Sequence, residues 1–439
     1  MKIGKKGRRI ALLCMCMVFL VVLVFGKTTV VQASTNGISR GYFIKLICQE
    51  IGITAKGTTN QAYINAAVEK GIITQNTFSD YQRNVSKSDA AVILVNVHES
   101  LYGNTISEEL IHTILKKRIT DVHKLSENRR ISFAKAYAYG YIKGSSDGSY
   151  TTSRTFKPTQ KISKATALNF IKMLKDESKR SKITDDGQLI RTTNLPKFAK
   201  FYPYVLASFP NAFYDWEFQF MKKCETKYKD GKAFYVSKYS MGVYKDGQDF
   251  AYPATIKEFH KDNLICTLSD GTKTNLAGLI EMNWNSWENN VREYLWNVFN
   301  VDYKNLENNK KWYEVVTTGT PFNDSVYINN YVNNYIAEAK KNKTIIECDQ
   351  IAFDKSCIYQ DLYGTYLRVY VHYRINSSAS SEQVALSPLA FTFESYSTYS
   401  NMNLGEWRDG YYDIMLRDNG TINRAIFSDY FHDVNAVEW

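Results

Sequence analysis

The sequence predicts a multidomain protein in which an α-helical repeat bundle is followed by an α+β domain with a curved antiparallel sheet. A helix-start pattern occurs three times before residue 175, and glycine-terminated helices lie between its copies. From residue 343 onward, segments of strand length alternate apolar and polar residues. With 439 residues, 44% of them hydrophobic, the chain is long enough to form two or three buried cores.

The N-terminal segment 1–33 has the composition of a secretory signal peptide. A basic start at residues 2–9 precedes an apolar run at 10–25, and small residues at 31–33 suit a cleavage site. No later segment approaches the roughly 20 apolar residues that a spanning helix needs. We therefore expect a secreted protein without a membrane span after cleavage, an uncleaved N-terminal anchor being the alternative.

The net charge and the cysteine content limit which ligands, metals and disulfide bonds can be expected. The six basic residues of the signal segment have no acidic counterpart, so the net charge of +11 falls to about +5 for the remaining chain. This mild, dispersed charge does not indicate nucleic acid, but it suits an anionic cell-wall polymer. The five cysteines after residue 33 are scattered without a C-x-x-C pair, so we expect no zinc or other metal site, no cofactor and no disulfide framework. Cys348 and Cys357 could bridge a hairpin, or both could be buried thiols.

The repeated helix start reads ISRGYFIKLI at 38–47, VSKSDAAVIL at 85–94 and ISKATALNFI at 162–171. Each copy has an apolar residue, a serine and then a cation, with apolar residues four, five, seven and eight positions after the serine. This spacing predicts an amphipathic helix whose serine accepts a hydrogen bond at the N-cap. The serines are Ser39, Ser86 and Ser163, and Asp89 completes a capping box in the second copy.

The cation in each copy is not explained by helix stability. Arg40, Lys87 and Lys164 follow the caps, where a positive charge opposes the helix dipole. A helix start already offers amide donors, so an added cation creates a corner suited to an anion. We therefore expect the three serines and three cations to bind an anionic polymer, and the cations to be dispensable for stability. The alternative is a solvated charge that happens to follow the cap.

Two further segments, 62–74 and 132–144, align on Gly71 and Gly140 and predict helices ended by a glycine in the left-handed region. After the second come an Asp-Gly loop and the tripeptide Phe156-Lys157-Pro158, which lead to the third capped helix.

This order of GYIKG, Asp-Gly loop, FKP, ISKAT and apolar helix resembles the S-layer homology repeat of bacterial surface proteins. That repeat ends in F-x-P followed by Ile-Thr-Arg-Ala-Glu, and ITDV at 119–122 is similar to its F-x-D-V start. The resemblance covers residues 38–175 and is strongest over 119–175. It implies repeats packed around a pseudo-threefold axis that bind an anionic secondary cell-wall polysaccharide non-covalently, with Arg40, Lys87 and Lys164 at the ligand contacts.

The chain also departs from that pattern. Serine replaces threonine in all three copies, and two arginines are lysines, which lack the bidentate fork and imply weaker or occluded grooves. The serines are 47 and then 77 residues apart, because an insertion at 101–119 adds a predicted helix. The first copy lacks its first half.

The repeats are assigned to residues 34–175, a solvated linker to 176–194 and an α+β domain to 195–439. Hairpins are predicted at 233–276, with turns at 245–247 and 269–271, and helices at 284–300 and 326–341. Strands are predicted at 343–353, 366–376, 385–396 and 411–417, in a sheet that wraps one long helix.

The C-terminal domain carries no catalytic motif that we recognise. Asp302, Glu347 and Asp349 are acids that could form a hydrolytic pair, but they resemble surface carboxylates, and His372 is expected on a strand face. We therefore expect an exported protein of the bacterial cell wall that is not an enzyme and that displays its C-terminal domain. The alternative is a wall-tethered hydrolase.

Overall fold

The computed structural model describes residues 37–146, 150–215, 222–229, 232–239, 266–267, 271, 273–318, 325–360, 365–380, 385–386, 403–416 and 422–426. The predicted signal peptide lies outside these residues. The chain divides into two compact units with a boundary between Leu189 and Ile190, and the second unit also includes residues 148–151. Within the described residues, no helix has the length and apolar character needed to cross a membrane.

The first unit is helical. Its helices are α1 (Arg40–Glu50), α2 (Asn60–Glu69), α3 (Lys87–Tyr102), α4 (Glu108–Lys117), α5 (Glu127–Ala138) and α6 (Lys164–Lys175). The insertion at 101–119 forms α4, as predicted.

The three predicted caps are confirmed at the starts of α1, α3 and α6. The hydroxyl oxygens of Ser39, Ser86 and Ser163 each accept a hydrogen bond from the amide three residues on, and Asp89 completes the capping box. Of the twelve positions predicted to be apolar and buried, ten are buried, and Leu168 is the clear exception at 41% exposure. The repeated pattern therefore encodes a core-facing helix in each copy.

Backbone hydrogen bonds join the three helix starts to one another. The Val85 amide donates to the Ile38 carbonyl, and the Ile162 amide donates to the Val85 carbonyl. The first two amides of α1 and of α3 are also used, in the bonds Arg40 to Arg83, Gly41 to Tyr81, Lys87 to Gln160 and Ser88 to Pro158. The expectation that these amides are free for an anion is therefore wrong for the first two copies, because the next copy's leading segment occupies them.

The charged segment after α6 differs from the predicted solvated linker. Residues Glu177–Lys179 form a 3₁₀ helix, and Ile183 pairs with Leu189. The Arg118 guanidinium lies 2.8 Å from the Asp186 carboxylate, and the Tyr137 hydroxyl donates to the Gly187 carbonyl. Partners in the preceding helices therefore hold this segment within the first unit.

The second unit is α+β. Its helices are α7 (Asn211–Tyr214), α8 (Leu276–Val298), α9 (Lys310–Thr318) and α10 (Ser325–Asn342). Its strands are β1 (Lys222–Lys229), β2 (Lys232–Tyr239), β3 (Cys266–Thr267), β4 (Lys273–Thr274), β5 (Val301–Asp302), β6 (Ile345–Gln360), β7 (Thr365–Ser377), β8 (Arg408–Leu416) and β9 (Ile422–Ile426).

Strands β5 to β9 form one antiparallel, curled sheet in sequential order, while β1 pairs with β2 and β3 with β4. The long helix α8 and its C-cap pack on one face of the sheet, where the Phe299 ring contacts the Tyr373 and Tyr412 rings. On the other face, the Tyr202 hydroxyl accepts a hydrogen bond from the buried Arg368. The segment 195–209 therefore belongs to this second core.

Some predicted C-terminal elements lie outside the described residues, including the turn at 245–247 and most of the strand at 385–396. Within the described part, β1, β9 and α9 were not predicted. Cys348 and Cys357 lie on the same strand as buried free thiols, so the alternative of a disulfide between them is wrong.

Candidate functional site

Arg40, the first predicted cation, is committed to the fold. Only 8% of its surface is exposed, and its guanidinium lies 2.9 Å from the Asp89 carboxylate. It also donates to the Asp80 carbonyl and lies over the Phe78 ring at 4.7 Å. These contacts neutralise its charge and occupy its donors, so Arg40 joins α1 to the start of α3.

Lys87, the second cation, is half-buried, and its ammonium donates to the Phe156 carbonyl at 2.9 Å. Burial lowers the pKa of Lys87, the nearby Lys157 lowers it further, and Asp121 partly opposes the change. A cation whose own surroundings disfavour its charge gains from an added anion.

Lys164, the third cation, is exposed at the start of α6, and its ammonium lies 5.9 Å from the centre of the Tyr42 ring in α1. The structure therefore does not gather the three predicted cations around one ligand. Each contacts a different part of the first unit.

One of them, Lys87, lines a cavity of about 330 Å³, which we call the basic groove. Its lining combines three lysines and other polar residues with aromatic and aliphatic residues. The groove is lined by Lys87, Tyr141, Ile142, Lys143, Gly144, Ser145, Thr155, Phe156, Lys157, Gln160 and Phe170. Among these described lining residues there is no carboxylate, thiol or imidazole.

Asp121 positions one wall of the groove. Its carboxylate accepts hydrogen bonds from the amides of Phe156 and Lys157, which fixes the FKP loop. Lys157 adopts φ 55°, a conformation that costs a non-glycine residue of the order of 1 kcal/mol. The hydrogen bond from the Lys157 amide to Asp121, the aspartate of the ITDV motif, stabilises this strained conformation.

Arg154 fixes the facing wall. It is almost fully buried and donates to the carbonyls of Lys143 and Gly144 at 2.5 and 3.2 Å. Gly144 has φ 61°, and a side chain there would overlap the Phe156 ring. Both walls of the groove are thus held by hydrogen bonds within the protein and do not depend on a ligand.

Sequence reasoning missed Lys143 and Lys157 as site residues, although both lie within the motifs GYIKG and FKP. The lysine in each motif is visible in the sequence. The sequence does not show that Ser145 pairs with Thr155 and Ile119 with Arg154, and these long-range pairs bring the two motifs together. A cavity lined by three lysines together with aromatic and aliphatic side chains can bind an acidic sugar or a phosphate-bearing ligand.

The acids considered for hydrolysis in the second unit are each engaged in a local contact. Asp302 accepts from the Lys304 amide, Glu347 lies 2.6 Å from Arg374, and Asp349 lies 2.6 Å from His372. The His372 ring stacks on Trp407 at 4.7 Å on the strand face. Over the described residues, no three histidine, cysteine or acidic side chains form a cluster suited to a metal ion.

Comparison with known proteins leaves the basic groove as the main guide to function. No protein-family model, no curated protein and no solved structure matches the chain.

Proposed function

We propose that the first unit is a binding module of the S-layer homology type, which attaches an exported protein to an anionic secondary polysaccharide of the bacterial cell wall. The second unit is then the part displayed at the cell surface. The observation that carries this proposal is the basic groove, where Lys87, Lys143 and Lys157 line one cavity together with apolar residues.

The order of contacts among the three copies supports the implied pseudo-threefold arrangement. Arg40 of the first copy reaches Asp89 of the second, and Lys87 of the second reaches Phe156, which leads into the third. Lys164 of the third copy lies over Tyr42 of the first. This cyclic order is what three repeats around one axis would produce.

The six residues predicted to bind the polymer have different roles in the structure. Ser39, Ser86 and Ser163 cap helices, and Arg40 is paired with Asp89. Lys164 is exposed, Lys87 lines the groove, and Lys143 and Lys157 supply further positive charge there. We therefore assign the main polymer contact to the three lysines of the groove, with their ammonium groups on the acidic substituents and the sugar against the apolar lining residues.

The test is sedimentation of the full-length protein with purified bacterial wall sacculi. Replacing Lys87, Lys143 and Lys157 by Gln should weaken binding by about a hundredfold or more, because each of the three charge-assisted contacts contributes over 1 kcal/mol. The control replaces the exposed Lys56, Lys70 and Lys117 by Gln, an identical change in net charge away from the groove.

Sacculi stripped of their secondary polymer should retain little protein. Equal sedimentation with stripped and intact sacculi would contradict polymer binding. Equal weakening by the control substitutions would contradict the assignment to the groove.

A further inference from the structure

A second cavity, of about 310 Å³, lies between α4 and α5 and has no counterpart in the repeat motif. It is lined by His112, Leu115, Lys116, Glu127, Arg130 and Ile131. One wall comes from the helix that the insertion at 101–119 adds. The volume is at the lower end of the range found for small-molecule sites.

The cations of this cavity differ from several cations of the first unit that are paired with carboxylates. Arg118, Arg129 and Lys135 each lie within 2.8 Å of a carboxylate. Lys116 and Arg130 form no such ion pair within the described residues. The Arg130 Nε atom is buried and has no hydrogen-bond partner in that part of the chain. A buried donor without a partner costs free energy.

The start of α5 adds a further source of positive potential. Ser126 occupies its N-cap but makes no side-chain cap hydrogen bond, in contrast to the serines that cap α1, α3 and α6. Glu127 is in the first turn of α5, and Arg130 is in the following turn. The cavity therefore lies beside a helix start at which the side chain of the N-cap residue, Ser126, accepts no hydrogen bond from the backbone.

We propose that this cavity is a second anion site, separate from the basic groove, and that it takes a phosphate monoester group. His112, Lys116 and Arg130 offer three side-chain donors, and a phosphate monoester has three terminal oxygens to accept from them. Leu115 and Ile131 provide an apolar surface for the carbon part of the ester. Glu127 is the one carboxylate in the lining, and it opposes a bound anion.

The experiment is isothermal titration of the full-length protein with inorganic phosphate and with glycerol phosphate, with acetate at the same ionic strength as the comparison. Lys116→Gln and Arg130→Gln should each weaken phosphate binding by about tenfold, the loss expected for one charge-assisted hydrogen bond. Glu127→Gln should strengthen it, because the opposing charge is removed. Lys116 is exposed, so its replacement tests the site without disturbing the core.

Lys117→Gln is the matched control, because Lys117 is the exposed neighbour of Lys116 on the same helix and does not line the cavity. It should leave phosphate binding unchanged. The proposal is overturned if phosphate does not saturate the wild-type protein, if acetate binds equally well, or if Lys117→Gln weakens binding as much as Lys116→Gln.

Discussion

The cation that follows the serine cap stabilises the fold in one copy and lines a proposed ligand site in another. Arg40 and Lys87 both follow a serine cap, yet Arg40 is paired with a buried aspartate whereas Lys87 lines a cavity. The difference arises from Asp89, because the second copy alone carries an acid at the third helical position. That acid lies 1% exposed between the guanidinium groups of Arg40 and Arg129.

Replacing Arg40 should therefore destabilise the protein, contrary to the expectation from the sequence. Arg40→Gln leaves Asp89 with fewer partners and should lower the free energy of unfolding by about 3–5 kcal/mol, the range found when a buried pair is broken. Lys164→Gln is the control, because Lys164 is exposed at the equivalent position. Chemical denaturation near neutral pH measures both, and equal costs would contradict a structural role for Arg40.

Asp89 should also make stability fall in acid. Burial alone would raise the pKa of its carboxyl, but the Ser86 amide and the side chains of Arg129, Ser86 and Arg40 outweigh burial and lower that pKa. A lowered carboxyl pKa stabilises the fold above the unfolded value of about 3.9, and the contribution is lost as the pH falls below it.

His98 should give a second pH dependence, in a higher range. It is 5% exposed, and its Nδ1 lies 2.9 Å from the Tyr141 hydroxyl. Burial and then Arg180 lower the pKa of His98 to about 4, although Glu99 and Glu177 oppose the change. The unfolded chain therefore binds a proton that the folded chain does not between pH 6.5 and about 4, so stability is complete above this window and falls within it.

We expect the wild-type protein to lose about 1–3 kcal/mol more than His98→Asn between these two pH values. Asparagine retains a polar group for Tyr141 but does not titrate. The measurement is the free energy of unfolding at a series of pH values for both proteins. Parallel pH profiles would show that His98 is not the group responsible.

At the scale of elements, the two glycine-ended helices share a backbone conformation but not their surroundings. Gly71 and Gly140 have φ of 70° and 81°, as the sequence predicts for helix ends. A side chain at Gly71 would meet nothing within 4 Å, whereas one at Gly140 would lie 2.7 Å from the Ser181 amide nitrogen. The segment 181–189 thus packs against the end of α5.

Gly71→Ala should cost about 1 kcal/mol, since only the backbone conformation is unfavourable. Gly140→Ala should cost at least about 2 kcal/mol more, because Ser181 must also move. Thermal unfolding of the two variants compares these costs directly. Similar costs would mean that the segment after α6 contributes little to the end of α5.

Helix starts and ends could be predicted because they depend on residues only a few positions apart. The Arg40 to Asp89 pair spans 49 positions, and nothing near either residue announces it. The basic groove was hidden for the same reason, since Lys87, Lys143 and Lys157 converge only after Asp121 and Arg154 fix two loops. The charge composition of residues 176–194 likewise indicated a solvated linker. In the structure, the buried Arg118 and Tyr137 bind Asp186 and Gly187 and hold this segment in place.

For the whole molecule, the two hydrophobic cores can be followed by separate probes. All seven tryptophans lie between residues 216 and 439, so tryptophan fluorescence reports on the second unit alone. Leu94 is fully buried in the first core. Leu94→Ala should cost about 2–5 kcal/mol and shift the unfolding midpoint seen by far-ultraviolet circular dichroism.

The fluorescence midpoint of Leu94→Ala should stay at the wild-type value. Val291→Ala, in α8 of the second core, is the reciprocal variant and should move the fluorescence midpoint. If both probes shift together in Leu94→Ala, the two units unfold as one cooperative structure.

The backbone bonds between helix starts also bear on protein engineering. Each of the first two copies gives its opening amides to carbonyls just ahead of the following copy. A single copy transplanted into a host protein would carry unpaired donors at its leading edge, whereas the three transferred together would keep these bonds. The smallest portable part is therefore the triplet, and shuffling experiments that exchange one copy at a time should yield insoluble or poorly folded products.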